Sequence, residues 1–327
     1  MIDDPSLLPG KLLRRPGPPQ TAPAFRGVQI DDPRLAEVLS PDAPLLVLYE
    51  GSLHAEGPVW VPAANRLFWS DVPNRRLLEL HPDGQVTAAL DDTYFMNGNA
   101  LDVEGRLVHC EHGRRCISRS NDNGEVEPIV THYQGRRLNS PNDVTVAADG
   151  TIWFTDPTFG LLMPNQGSLA EPELDHRSVY RFDPRTGDLR RMADFEEPNG
   201  LAFSPDGRTL YVSDTAISLA EVPGDLSGTT HEILAFDVAG DGTLSNRRFF
   251  YHTDHGYPDG FTVDRRGWVW TSAADGIHVI AADRTALGYI PTGSVCSNCT
   301  FGGPDMSRLF IAATDTLLAI DLRLPAA

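Results

Sequence analysis

Short hydrophobic runs separated by tight polar turns repeat along the chain, and each repeat opens on a polar residue at the same point of the pattern. The clearest copies are Glu56-Gly57-Pro58-Val59-Trp60, Asn142-Asp143-Val144-Thr145-Val146, Asn199-Gly200-Leu201-Ala202-Phe203 and Asp259-Gly260-Phe261-Thr262-Val263. Asn99 to Val103 is a fifth copy, and a sixth, around Ser297 to Phe301, is shorter and displaced by one position. Each runs through a turn into a second strand, as in Asp149-Gly150-Thr151-Ile152-Trp153-Phe154. The leading positions lie roughly 40 to 60 residues apart, the period of propeller blades built from four short strands. No long apolar stripe of helical period interrupts them. The pattern predicts an all-β fold, a six-bladed β-propeller with four-stranded blades around a central channel.

The repeats account for residues 43–327 as one domain, although a chain of 327 residues would by length alone suggest about two. Residues 1–42 are a Pro-rich N-terminal extension expected to pack on the outside of the ring, with a short helix at Pro33 to Leu39. Leu45 to Tyr49 is a strand expected to pair with Leu317 to Leu322 and so join the last blade to the first. Two connections exceed hairpin length, Pro157 to Arg177 and Thr215 to His231, and long loops in compact domains often bind ligands.

Residues at equivalent positions of a propeller converge on its axis. Glu56, Asn142, Asn199 and Asp259 would then meet as two carboxylates and two amide carbonyls, with no imidazole or thiolate. That all-oxygen set suits one hard divalent cation, Ca²⁺ first, then Mg²⁺ or Mn²⁺, with Zn²⁺ the poorer match. Any single Asn or Asp before Gly also reads as an ordinary turn residue. Glu56, a poor turn residue, and the shared register of several copies favour a site.

A second recurring feature is an acidic residue after the second strand: Asp71, Glu111, Asp156 and Asp214. These read as structural caps of turns, with Asp156 also a substrate-binding candidate because it opens into a long loop. His112 and Arg114, just past a second strand, are candidates for binding substrate oxygens, against the alternative of a solvated loop. His109 reads as a satisfied core histidine. Cys110, Cys116, Cys296 and Cys299 form C-x5-C and C-x2-C pairs, loosely like a four-thiolate zinc site. Their place on or beside buried strands instead favours free thiols acting as small hydrophobes, over a Cys296–Cys299 disulfide.

The net charge of −18 repels phosphate backbones and anionic lipid heads, which argues against nucleic acid and membrane partners. No apolar run is long enough to span a bilayer, and Met1 to Gly10 lacks the basic and apolar regions of a secretory leader. The reading is a cytoplasmic monomer or weak homo-oligomer, or a periplasmic or exported protein if a leader has been removed.

The motifs Glu56-Gly57-Pro58, Ser140-Pro141-Asn142-Asp143, Pro198-Asn199-Gly200-Leu201 and Pro258-Asp259-Gly260 together resemble the senescence marker protein, gluconolactonase and luciferin-regenerating enzyme family. The resemblance covers about residues 45 to 323. Cys110-Glu111-His112-Gly113 and Phe154-Thr155-Asp156-Pro157 look most like the bacterial gluconolactonase branch. The resemblance implies that Glu56, Asn142, Asn199 and Asp259 surround one divalent metal, that Asp259 is the base, and that Asn99 and His112 are pocket residues. Regucalcin-type members carry a sugar-contacting Arg where this chain has Ser140, which leaves Arg114 or Arg137 as substitutes. The implied function is metal-dependent opening of a small-molecule lactone, a sugar lactone such as glucono-1,5-lactone, with Glu56 as the alternative base. A phosphotriesterase of the diisopropylfluorophosphatase type and a non-catalytic calcium- or small-molecule-binding propeller are the competing readings.

Overall fold

The computed structural model describes residues 12–14, 17–23, 25–121, 124–216 and 230–326. Six antiparallel sheets follow one another along the chain. The first runs from strand Ala55–Val61 to Val86–Asp91, the second from Met96–Leu101 to Val126–Val130 and the third from Val144–Val146 to Asp188–Phe195. The fourth runs from Pro198–Phe203 to Leu244–His252 and the fifth from Phe261–Val263 to Ala286–Pro291. The sixth takes three strands from the C-terminal region, beginning at Asn298–Gly302, and two from the N-terminal region. The leading strand of each sheet touches the leading strand of the next, and that of the sixth touches that of the first. This is a closed six-bladed β-propeller.

Closure uses the strand Leu45–Glu50, which pairs antiparallel with Thr316–Asp321 from Thr316 opposite Glu50 to Ile320 opposite Leu45. The first and last blades are thereby locked by backbone hydrogen bonds rather than by packing alone. Short strands before Leu45 cover exposed sheet edges: Leu12–Arg14 joins the first blade, Gln20–Thr21 the sixth and Gln29–Ile30 the fifth. The helix Pro33–Val38 starts on an Asp32 cap and buries Leu35 and Val38. No helix among the described residues is long and apolar enough to cross a membrane.

Second strands are covered on both faces by neighbouring blades, so they read as continuous rather than alternating apolar runs. Every residue of Ile152–Asp156 is buried, and Trp69, Trp153 and Trp270 fill the gaps between blades. The four cysteines are free and buried. Cys110 belongs to the core between the second and third blades and Cys296 and Cys299 to that of the fifth and sixth, so no four-thiolate site forms.

At the axis the blades come so close that a side chain does not fit. A Cβ on Gly57 would lie 2.4 Å from the Asn97 carbonyl oxygen, on Gly98 2.6 Å from that of Asn142, and on Gly200 2.4 Å from that of Asp259. Gly200→Ala is therefore expected to destabilise the fold by about 1–3 kcal/mol through overpacking, read as a lower urea midpoint. Gly240→Ala, which meets open space, should change stability by less than about 1 kcal/mol; equal effects of the two would refute the crowding argument.

Candidate active site

Five of these axial positions line one cavity of about 80 Å³: Glu56, Asn97, Asn142, Asn199 and Asp259. They come from the first five blades. His54 and His112 add imidazoles, Tyr257 a phenol, and Phe159, Met163 and Gln166 descend from the long loop after Asp156. A larger pocket of about 740 Å³ lies between the first and sixth blades, around Trp60 and Phe310, and holds none of the axial motif residues.

The approach to three of these residues is held by the recurring acid of the second strand. Asp71 Oδ1 accepts from the Leu53 backbone N–H at 2.8 Å, Asp156 Oδ2 from that of Asn139 at 2.9 Å, and Asp214 Oδ1 from that of Glu197 at 2.8 Å. Each donor lies two or three residues before Glu56, Asn142 or Asn199. Hydroxyls one residue before these acids tie blade to blade, as Ser70 Oγ donates to the Asn97 carbonyl at 2.7 Å and Ser213 Oγ to that of Asp259 at 2.8 Å.

The electrostatics are unbalanced. Burial pushes the Glu56 and Asp259 carboxyls well up, the Asp143 carboxylate raises both, and Glu56 further raises Asp259. Asp259 has no ion-pair partner among the described residues, and the nearest to Glu56 is His54 Nε2 at 3.8 Å. No Arg or Lys lines the cavity. Glu56 Oε2 accepts from the Gly57 N–H at 2.8 Å and from Asn298 Nδ2 at 3.3 Å. Asn199 Nδ2 donates to Thr215 Oγ1 at 3.1 Å, which leaves its carbonyl oxygen for the cavity. Two buried, uncompensated carboxylates beside two amide groups fit a hard divalent cation.

The second blade departs from the sequence reading. Asn97, not Asn99, holds the axial position, since Gly98 after it makes the same close approach as Gly57 and Gly200. Asn99 lies outside this cavity, its Nδ2 donating to the Gly57 carbonyl at 2.8 Å and to Ser70 Oγ at 2.9 Å while its Oδ1 meets His109 Nδ1 at 2.7 Å. His109 also reaches Ser120 Oγ at 3.2 Å, as a satisfied core histidine does. The Asn97-Gly98 dipeptide, parallel to Glu56-Gly57 and Asn199-Gly200, was the signal that marks the true register.

Two further candidates also lie outside the cavity. Arg114 pairs with the Glu111 carboxylate and stacks over Tyr94, with 4.7 Å to the ring centroid. Asp156 is buried at the base of the loop, where it caps the Asn139 turn. Arg137 donates to the Arg114 carbonyl at 3.0 Å and does not line the cavity either. Ser140 is occupied by the loop, donating to the Pro157 carbonyl at 2.7 Å and accepting from the Gly160 N–H at 3.0 Å. His112 does line the cavity. Nothing in the repeat pattern marks His54, Tyr257 or the three loop residues. Of the second long connection, residues 217–229 lie outside the described residues.

A propeller whose axis presents an oxygen-rich cavity under a loop defines a class that comparison makes specific. The chain belongs to the SMP-30/gluconolactonase/LRE-like family, whose model matches residues 54–315. A gluconolactonase of Zymomonas mobilis is 30% identical over 311 residues, which cover 88% of this chain and 84% of that protein. A solved gluconolactonase from Xanthomonas campestris is 48% identical, with a TM-score of 0.88 over 95% of this chain and 99% of that one. Regucalcin of Oryctolagus cuniculus is 26% identical over 277 residues, 81% of this chain and 84% of that protein.

Asp156 gives the site's supporting frame a pH signature. Burial pushes its carboxyl from 3.8 up to about 8, and Oδ1 has no hydrogen-bond partner. Folding thus takes up a proton, so the stability linked to this group is full below about pH 4 and is lost as pH rises towards 8. Asp156→Asn should gain on the parent by up to about 1.4 kcal/mol per pH unit across that window, measured by urea unfolding at pH 5 to 8. A difference that does not vary with pH would contradict this assignment.

Proposed function

We propose that the protein is a metal-dependent lactonase that opens sugar-derived lactones, with glucono-1,5-lactone the first substrate to test. The observation that carries this reading is the pair of buried carboxylates, Glu56 and Asp259, facing one cavity with the amides of Asn97, Asn142 and Asn199 and no Arg or Lys. Membership of the family and the likeness to gluconolactonases from two bacteria support the same substrate class.

A divalent cation, Ca²⁺ foremost, held by Glu56, Asn142, Asn199 and Asp259 would supply Lewis acidity towards the lactone carbonyl. Asp259 takes the proton of the attacking water. It suits this role better than Glu56, because Glu56 Oε2 already accepts from the Gly57 N–H and Asn298 Nδ2 and so has less capacity left to take a proton. Asn199, fixed through Thr215, orients its carbonyl inward. Phe159 and Met163 shield the cavity from bulk water, and the surrounding low dielectric strengthens every polar contact made there.

Acid release from glucono-1,5-lactone, corrected for spontaneous hydrolysis, should vanish when the metal is stripped and return with Ca²⁺, Mg²⁺, Mn²⁺ or Zn²⁺. Asp259→Asn is expected to lower kcat by about 10²–10⁴-fold, while calorimetry still detects weakened cation binding. Undiminished turnover in that variant would remove Asp259 from the role of base. Turnover indifferent to metal would defeat the mechanism.

A further inference from the structure

His112 is held in one orientation by groups distant in sequence. Its Nδ1 lies 2.7 Å from the backbone carbonyl oxygen of Gln166. A carbonyl can only accept, so Nδ1 carries the hydrogen and Nε2 is a bare acceptor. A Cβ on Gly160 would lie 2.6 Å from His112 Cβ and 2.8 Å from both its Cγ and Ser140 Cβ, so the loop backbone presses directly on the imidazole. Ser140 in turn pins that loop through Pro157 and Gly160.

His112 is only 1% exposed, and Nε2 meets no protein donor among the described residues. A buried acceptor without a donor is costly, which marks it as waiting for a ligand group rather than for the fold. Burial also holds the imidazole down to about 4, so it stays neutral and accepting near pH 7. No arginine or lysine lines the cavity, so substrate hydroxyls meet acceptors there, of which His112 Nε2 is one outside the four axial oxygens.

We propose that His112 Nε2 accepts a hydrogen bond from a ring hydroxyl of the substrate and makes the site select polyhydroxylated lactones over their deoxygenated counterparts. The inference rests on the lactonase reading and names its specificity residue. A pocket built to pair a hydroxyl discriminates strongly against the analogue that lacks it, because its own polar atom is then left unpaired.

The test compares kcat/KM for glucono-1,5-lactone and δ-valerolactone, which share the six-membered lactone ring and differ in hydroxyls. Calorimetric binding of D-gluconate and 5-hydroxyvalerate is measured alongside. His112→Phe should lower the preference for the hydroxylated lactone by about 10- to 100-fold, mainly through KM. His112→Gln, whose amide oxygen reaches the place of Nε2, should recover much of it. Should the Phe variant not fold, His112→Asn, too short to reach that place, takes its part. A preference ratio left intact, or an equal fall in kcat for both lactones, would overturn the proposal, the second outcome pointing to proton transfer instead. If the parent protein hydrolyses neither lactone, the lactonase reading alone fails. Gluconate binding then decides: loss in the His112 variants upholds the contact and unaltered binding ends it.

Discussion

The structure turns on how little room there is at the propeller axis. Six leading strands meet there, and at three of the contacts the backbone of one blade sits against the carbonyl oxygen of the next, with glycine the only residue that fits. One of these contacts is also hydrogen-bonded, the Gly98 N–H donating to the Asn142 carbonyl at 2.8 Å, and the fifth and sixth blades are joined likewise, the Gly260 N–H donating to the Ser297 carbonyl at 2.7 Å. Such crowding fixes the position of the residue just before each glycine. Glu56, Asn97, Asn199 and Asp259 therefore hold their places through backbone geometry, before any ligand contributes.

Closeness has an electrostatic consequence. Carboxylates brought to a buried axis repel one another and lose hydration, so without compensation they hold protons instead of charge. Glu56, Asp143 and Asp259 all show that upward displacement, with burial as the largest cause in each case. The ring could have placed an arginine among them and formed a buried ion pair. Instead its cationic side chains are spent elsewhere, Arg76 on Asp71 and Arg114 on Glu111. The axis is left with a negative demand that only a cation or protons can meet.

Much of this was legible in the sequence, because a closed ring converts a repeat period directly into proximity. Glu56, Asn142, Asn199 and Asp259 could be brought together without coordinates for that reason. Pairing of Leu45 to Tyr49 with the C-terminal strand was legible too, since an unclosed ring leaves two edges to satisfy. The second blade was not. Asn97 and Asn99 are two residues apart on one strand, so side-chain alternation puts both on the same face and cannot choose between them. Only the close approach of Gly98 does. Asp156 is a related case: its neighbour in sequence is the long loop that reaches the cavity, yet its carboxyl points back to cap Asn139.

What the period could not reveal is the loop between Asp156 and Arg177, which repeats nothing. Its contribution depends on a few tertiary contacts, Gly160 against His112 and Ser140, and the Gln166 carbonyl on His112 Nδ1. These divide the labour within one cavity. Ring geometry sets where the axial oxygens stand; the loop sets which tautomer His112 presents and how much apolar wall surrounds it. A change in the loop can therefore alter what is recognised while the axial oxygens stay where the glycines put them. That separation gives a physical reason why a single propeller frame can serve several lactones, with no rearrangement of its axis.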